Sequence, residues 1–236
     1  MALYPYYSWS SKIDNIEIVH KNENFIIFNK PNGLLTHPTA NSEESTLRDY
    51  LVELYPDVLT WGEPKREGIV HRLDRVTSGL LLCPLKEETF KIFKEKFKTR
   101  EIKKIYTALV QGTLPFDSGL IQVPLSRSKQ NRSKRAVDRT GRESITKYEL
   151  IDYSVDLNIS KLELELVTGR NHQIRAHMEY MKTPVLNDEL YGSSKNNDIP
   201  HNAIALHSTF LQFEFENEIF AFSTEPPSFF NQVLDV

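Results

Sequence analysis

A single cysteine, Cys83, stands in the 236 residues, which excludes an internal disulfide and any cysteine-rich zinc site. It follows Leu80-Leu81-Leu82 and reads as a buried structural thiol, not a nucleophile. No apolar run approaches the ~20 residues a helix needs to span a bilayer. Met1-Ala2-Leu3-Tyr4-Pro5-Tyr6-Tyr7 lacks the basic start and continuous apolar segment of a signal peptide, so the expected location is cytoplasmic, with no membrane partner. There is no Walker-type glycine loop and no Gly-x-Gly-x-x-Gly, the usual handles of a nucleotide cofactor. Low-complexity linkers and internal repeats are missing too.

Hydrophobic content of 39% with 26% charged residues describes a globular chain with enough length for a substantial core. The net charge of −3 hides an uneven distribution. Seven basic residues (Arg127, Lys129, Arg132, Lys134, Arg135, Arg139, Arg142) lie between Ser126 and Arg142 against one acid, Asp138. From Phe210 to Val236 there are five acids and no Lys or Arg. A basic run is either a solvated loop or a grip for a polyanion.

Ile16–Val19 and Phe25–Phe28 flank Lys21-Asn22-Glu23-Asn24, which predicts a β-hairpin. Ser45 is placed to cap a short helix reaching Leu54. Phe90, Phe93 and Phe97 recur at helical spacing, predicting an amphipathic helix from about Lys86 to Lys98 with the aromatics facing the core. Ile102–Val110 reads as a strand, and Leu162, Leu164 and Leu166 alternate with charged residues as a half-buried strand does. Gln173–Met181 reads as a helix, and Phe210–Phe215 with Ile219–Phe222 as a second hairpin. Strands dominate without strict βαβ alternation, so the expected class is α+β with a mixed, largely antiparallel sheet.

The most informative stretch is His71-Arg72-Leu73-Asp74-Arg75-Val76-Thr77-Ser78-Gly79-Leu80-Leu81-Leu82. It sets one carboxylate between two arginines, where nearby positive charge favours the ionised form. A Thr-Ser-Gly turn then anchors the loop to an apolar segment. The string resembles the active-site loop of the RluA-type pseudouridine synthases, which modify ribosomal and transfer RNA. Lys30-Pro31-Asn32-Gly33-Leu34 with His37-Pro38 looks like that family's opening motif, and Lys104–Gly112 like the strand carrying its active-site tyrosine. Gly169-Arg170-Asn171-His172-Gln173-Ile174-Arg175-Ala176-His177 is similar to its Gly-Arg-Thr-His-Gln-Ile-Arg signature. Leu190-Tyr191-Gly192 and Ala205-Leu206-His207-Ser208 match weaker family positions. The chain departs from the pattern at Asn171 (usually Thr), Val76, Asn187 (often Gly) and Ser208 (often Ala), which bears on loop detail and RNA preference.

The resemblance implies the pseudouridine synthase fold: a mixed sheet with flanking helices and a catalytic cleft across its middle. It also implies one catalytic domain over residues 1–236, core about 14–225, without the extra N-terminal RNA-binding domain of many relatives. The implied reaction breaks the bond between ribose C1′ and uracil N1 and rejoins the base through C5. Nothing enters or leaves, so no cofactor is expected. Asp74 is the implied catalytic carboxylate, acting either as nucleophile on C1′ or as general base on a ribose proton. Arg175 is its expected partner, Tyr106 the ring that stacks on uracil, Ile174 part of the apolar wall under the base, and Arg72 the group that fills the gap left by an extruded uridine. Arg132, Lys134 and Arg135 are the expected contacts to RNA backbone. The expected partner is ribosomal or transfer RNA, and the expected state a monomer.

The histidines do not read as a metal site: His172 and His177 are five apart, with no glutamate between them as in His-Glu-x-x-His. Two rival readings stand beside the enzyme. One is a non-catalytic RNA-binding protein of the same fold acting in ribosome assembly. The other is a hydrolase of the base–sugar bond, which usually needs a second carboxylate, and no acid lies in the other matched motifs.

Overall fold

The structure, a computed structural model, describes residues 16–39 and 44–234. Met1–Tyr7, the first two residues of the expected core and Asp235 lie outside the described residues. Strands β1 (Glu17–Lys21), β2 (Phe25–Lys30), β3 (Ser78–Pro84), β4 (Lys103–Gln111), β5 (Ser118–Gln122), β8 (Ile145–Ser154), β9 (Ile159–Leu166), β10 (Leu206–Phe215) and β11 (Glu218–Ser223) form one nine-stranded sheet. Its order is β1-β2-β3-β10-β4-β9-β8-β5, with β11 paired to β10. Among the described strands only β3 and β10 run parallel; the rest pair antiparallel, as expected for α+β. Two short strands, β6 (Leu125–Arg127) and β7 (Arg135–Val137), form a separate hairpin.

The central strands are covered on both faces, so their sequences are nearly continuous apolar runs. Alternation sorts them: Ile26, Phe28, Leu81 and Cys83 join one core, Phe25, Ile27, Leu80 and Leu82 the other. Helix α1 (Leu47–Leu54) packs Leu47 and Leu51 into the first core. Its cap is Thr46, not the expected Ser45: Thr46 accepts from the Asp49 backbone N–H while the Asp49 carboxylate accepts from the Thr46 N–H. An acid three residues on decides between adjacent hydroxyl residues. Helix α2 (Glu87–Thr99) seals the second core with Phe93 and stops at Arg100, whose φ is +68°. Helices α3 (Gln173–Tyr180) and α4 (Phe229–Leu234) complete the chain. No helix among the described residues is long and apolar enough to cross a membrane.

One glycine decides where the sheet closes around the cleft. A Cβ on Gly79 would lie 2.4 Å from the Ser208 carbonyl oxygen and 2.5 Å from its nitrogen, and the φ of Gly79 is +112°. Any side chain there would push β3 off β10.

Candidate active site

Between the end of α2, the start of α3 and the 66–77 loop lies a cleft of about 460 Å³. Asp74, Arg72, Tyr106, Ile174 and Arg175 all line it, so segments far apart in sequence converge there.

The Asp74 loop is fixed from behind by the opening motif. Thr36 Oγ1 donates to the Leu73 carbonyl (2.8 Å) and accepts from the Leu73 N–H (3.2 Å). The Gly33 N–H donates to the Arg75 carbonyl at 2.8 Å, and the Asn32 amide to the Val76 carbonyl at 2.7 Å. Lys30 is wholly buried, and its ammonium donates to the carbonyls of Pro31 and Leu34 at 2.9 and 2.8 Å and, in the Asp74 loop, to the Arg75 carbonyl at 3.5 Å. Burial pulls this ammonium down to about 7, against the opposing attraction of Asp74. A lysine and a threonine that looked like sequence markers therefore serve as the mount for the carboxylate.

Arg175 reaches Asp74 Oδ2 through Nη1 at 3.1 Å. Its main partner is a residue that the sequence reading did not single out. Asp188 takes Nε at 2.6 Å and Nη2 at 2.8 Å in a bidentate pair, and is itself 1% exposed. Burial works against the guanidinium charge, but hydrogen bonds and attraction from Asp188 and Asp74 outweigh it and raise its pKa above the ordinary range. Asp188 does not line the cleft. Asp188 is a second carboxylate on Arg175 that lies outside the matched motifs, and both its oxygens are spent on that arginine. No local signal marks Asp188; only the fold brings it 13 residues back onto α3.

The turn before α3 is locked by Gln173, 2% exposed. Its Oε1 accepts from Thr168 Oγ1 and the Arg170 N–H, and its Nε2 donates to the Ile145 carbonyl and Thr146 Oγ1. All four bonds of the amide are used, which orients the first turn of α3 and with it Arg175. Just before Gln173, His172 has φ +54°, a left-handed conformation that costs a non-glycine residue of order 1–2 kcal/mol. The strained turn sets His172 Nε2 3.7 Å from Asp74 Oδ2 and Nδ1 3.0 Å from the Tyr191 hydroxyl. That hydroxyl also accepts the Arg135 backbone N–H at 2.7 Å, so the basic hairpin is tied through Tyr191 and His172 to the carboxylate. The same ring lies 4.9 Å beneath the Arg175 guanidinium.

Tyr106 is 6% exposed and lines the cleft. Burial raises its hydroxyl to about 12, despite a hydrogen bond with Ser208 across the β4–β10 pair. Ser208 thus supplies a partner that the usual alanine would not. Ile174, 3% exposed, faces the same space. Arg72 is exposed at the rim, with Nη1 3.2 Å from His37 Nε2. Asn187 has φ +64°, where a glycine is free and an asparagine is tolerated. Its amide donates to the Ala203 carbonyl at 2.7 Å and accepts the Asn196 N–H at 3.0 Å.

The three expected backbone contacts differ. Arg132 is exposed near the hairpin tip. Arg135 is half-buried on β7, and Lys134 is already bound to Glu179 at 2.6 Å, with its ammonium 4.8 Å from the Tyr191 ring centroid. None of the three lines the cleft. His177 is fully buried, hydrogen-bonded to Thr146 and the Val123 carbonyl. Among the described residues no three His, Cys, Asp or Glu side chains gather as metal ligands.

The chain is 34% identical over 223 residues to a ribosomal large subunit pseudouridine synthase D of Borreliella burgdorferi, covering 91% of this chain and 66% of the relative. It is 32% identical to an uncharacterised RNA pseudouridine synthase of Bacillus subtilis, covering 85% of this chain and 65% of the relative. It therefore spans about two thirds of the length of these curated relatives. The fold superposes on human RNA pseudouridylate synthase domain containing 1 with a TM-score of 0.74 at 25% identity, covering 92% of this chain and 86% of that one. The sequence pattern described as RNA pseudouridylate synthase matches residues 24–180, the span that carries Asp74, Tyr106 and Arg175. By that match the chain belongs to the RNA pseudouridylate synthase family.

Proposed function

We propose that this chain isomerises uridine to pseudouridine in ribosomal or transfer RNA, as a single catalytic unit with Asp74 as the reacting carboxylate. One observation carries the reading: Asp74 is 14% exposed, lines the cleft, and is held by an arginine that is itself anchored on Asp188. Attack on C1′ or removal of a ribose proton needs a carboxylate that is charged, oriented and shielded from water. Asp188 supplies the orientation, because Arg175 keeps its place whichever way Asp74 moves during the reaction. Tyr106 and Ile174 offer a flat apolar slot for uracil beside Asp74, and Arg72 at the rim is free to enter the space that a departing uridine leaves. His37 accepts from Arg72 while neutral, and burial first, then the charge of Arg72, lowers its pKa.

The test is nucleoside analysis of cellular RNA and synthetic stem-loops after incubation with the protein. Pseudouridine is the expected product, and Asp74→Asn should lower its rate roughly 10²-fold or more. Release of free uracil would make the chain a hydrolase. RNA binding with neither product would make it a binding protein of this fold.

A further inference from the structure

On the side of the cleft away from Asp188, Lys104 is 7% exposed and lines the cavity. It stands two residues before Tyr106 on β4, hence on the same face of the strand and roughly 7 Å away. Among the described residues no carboxylate and no hydrogen-bond acceptor meets its ammonium. Its neighbours are the Phe97 ring at 5.7 Å and the backbone of Gly169, where a Cβ would lie 4.0 Å from Nζ. Arg100, Arg170 and Lys98 line the same wall. Two acids answer these three: Glu95 binds Lys98 at 2.9 Å, and Glu143 binds Arg100 at 2.7 Å while its backbone carbonyl takes Arg170 Nε at 3.0 Å. His71 adds no anion, since it accepts the Leu82 N–H at Nε2 and is neutral.

The Lys104 side chain is largely buried, its ammonium opens on the cleft and no acid of the protein answers it, so it is placed to meet a charge that a ligand supplies. Burial, and then Arg100, already pulls Lys104 down to about 8. We propose that Lys104, with Arg100 and Arg170, forms a phosphodiester subsite on this wall that takes a backbone phosphate flanking the uridine whose base lies against Tyr106. The inference rests on the proposed RNA function, and it assigns the strand's phosphates to this cleft wall as well as to the basic hairpin. Lys104 is here a binding and positioning residue, not a catalytic one.

The experiment titrates the full chain with a uridine pentaribonucleotide, and with the same pentamer carrying neutral methylphosphonate linkages on both sides of its central uridine. The neutral linkages should weaken wild-type binding about tenfold, the size of one lost charge-assisted hydrogen bond. Lys104→Gln should lose the same factor on the native pentamer and nothing further on the neutral one. Its log–log salt slope should fall by roughly 0.7, and Lys104→Arg should recover most of the affinity. Lys104→Met should melt no lower than wild type, because it removes a charge that no acid of the protein answers; a merely structural lysine would lower the melting temperature. The subsite is overturned if Lys104→Gln binds both probes as wild type does, if its loss simply adds to that of the neutral linkages, or if neither probe binds wild type. Pseudouridine formation in cellular RNA is scored on the same preparations. Its absence with the binding pattern intact removes the functional reading alone, and its presence with no effect of Lys104→Gln removes the subsite alone.

Discussion

On the Asp188 side of the cleft, Asp74, Arg175 and Asp188 form a closed chain of opposite charges, held at 2.6–3.1 Å. On the Phe97 side, Lys104, Arg100 and Arg170 face the same cavity with Glu143 as their one acidic partner. Both walls carry similarly buried cations, Arg175 on α3 at 5% exposed and Lys104 on β4 at 7%. The difference teaches what each wall is for. Buried charges need partners; where the protein supplies them the geometry is rigid before any ligand arrives, and where it does not the partner must come with the substrate.

Breaking the paired wall should give the largest effects, and the two carboxylates should break it differently. Asp74→Asn leaves Arg175 bound to Asp188, so the fold should persist while activity falls by roughly 10²-fold or more. Asp188→Asn removes the bidentate partner and leaves the buried guanidinium only Asp74 at 3.1 Å, so it should cost up to about 3–5 kcal/mol, read from urea unfolding. Equal stability losses in the two variants would show that Asp188 is not the main anchor.

Arg72 tests the rim between the walls. Extrusion of a base costs a few kcal/mol from a stem and less from a single strand. Arg72→Ala should therefore lose much more activity on a uridine held in a stem-loop than on one already unstacked. An equal loss on both would instead tie Arg72 to holding Asp74.

Acid should weaken the cationic wall through the histidine behind it. Burial, with Lys104 second, lowers the folded pKa of His71 from its ordinary 6.5 to about 3. Between these values the unfolded chain binds the extra proton, so the contribution of His71 is complete above pH 6.5 and is lost as pH falls toward 3. His177 and His207, lowered by burial to about 4, act in the same direction. Urea midpoints should fall steadily below pH 6.5, and a profile flat down to pH 4 would contradict this.

The smallest effect belongs to the hairpin. Neutralising Arg132 should lower the log–log salt slope for RNA binding by roughly 0.7–0.9. Neutralising Lys134 should do less, because Glu179 already holds it at 2.6 Å. Equal slopes for the two variants would mean that RNA displaces Glu179.

The hairpins, the aromatic face of α2 and the long strands β4 and β9 were legible because each is written in a local period, and nearest neighbours enforce that period. Asp74, Tyr106, Ile174 and Arg175 were legible as motif members, and the fold draws them to one cleft. The first turn of α1 shifted by one residue because Asp49 selects Thr46 over Ser45, a choice between near-equal caps. The basic run from Ser126 to Arg142 could be counted but not sorted; its folding onto α3 ties Lys134 and leaves Arg132 free.

By itself the sequence determined the strand and helix periods, the order of the motifs and the presence of one carboxylate among arginines, because these depend on residues close along the chain. The tertiary structure alone decided that Asp188 anchors Arg175, that Lys30 and Thr36 brace the Asp74 loop, and that Lys104 is left without an acidic partner. Those contacts join residues 13 to 45 positions apart, and whether a charge is paired is settled only when distant segments bury it together.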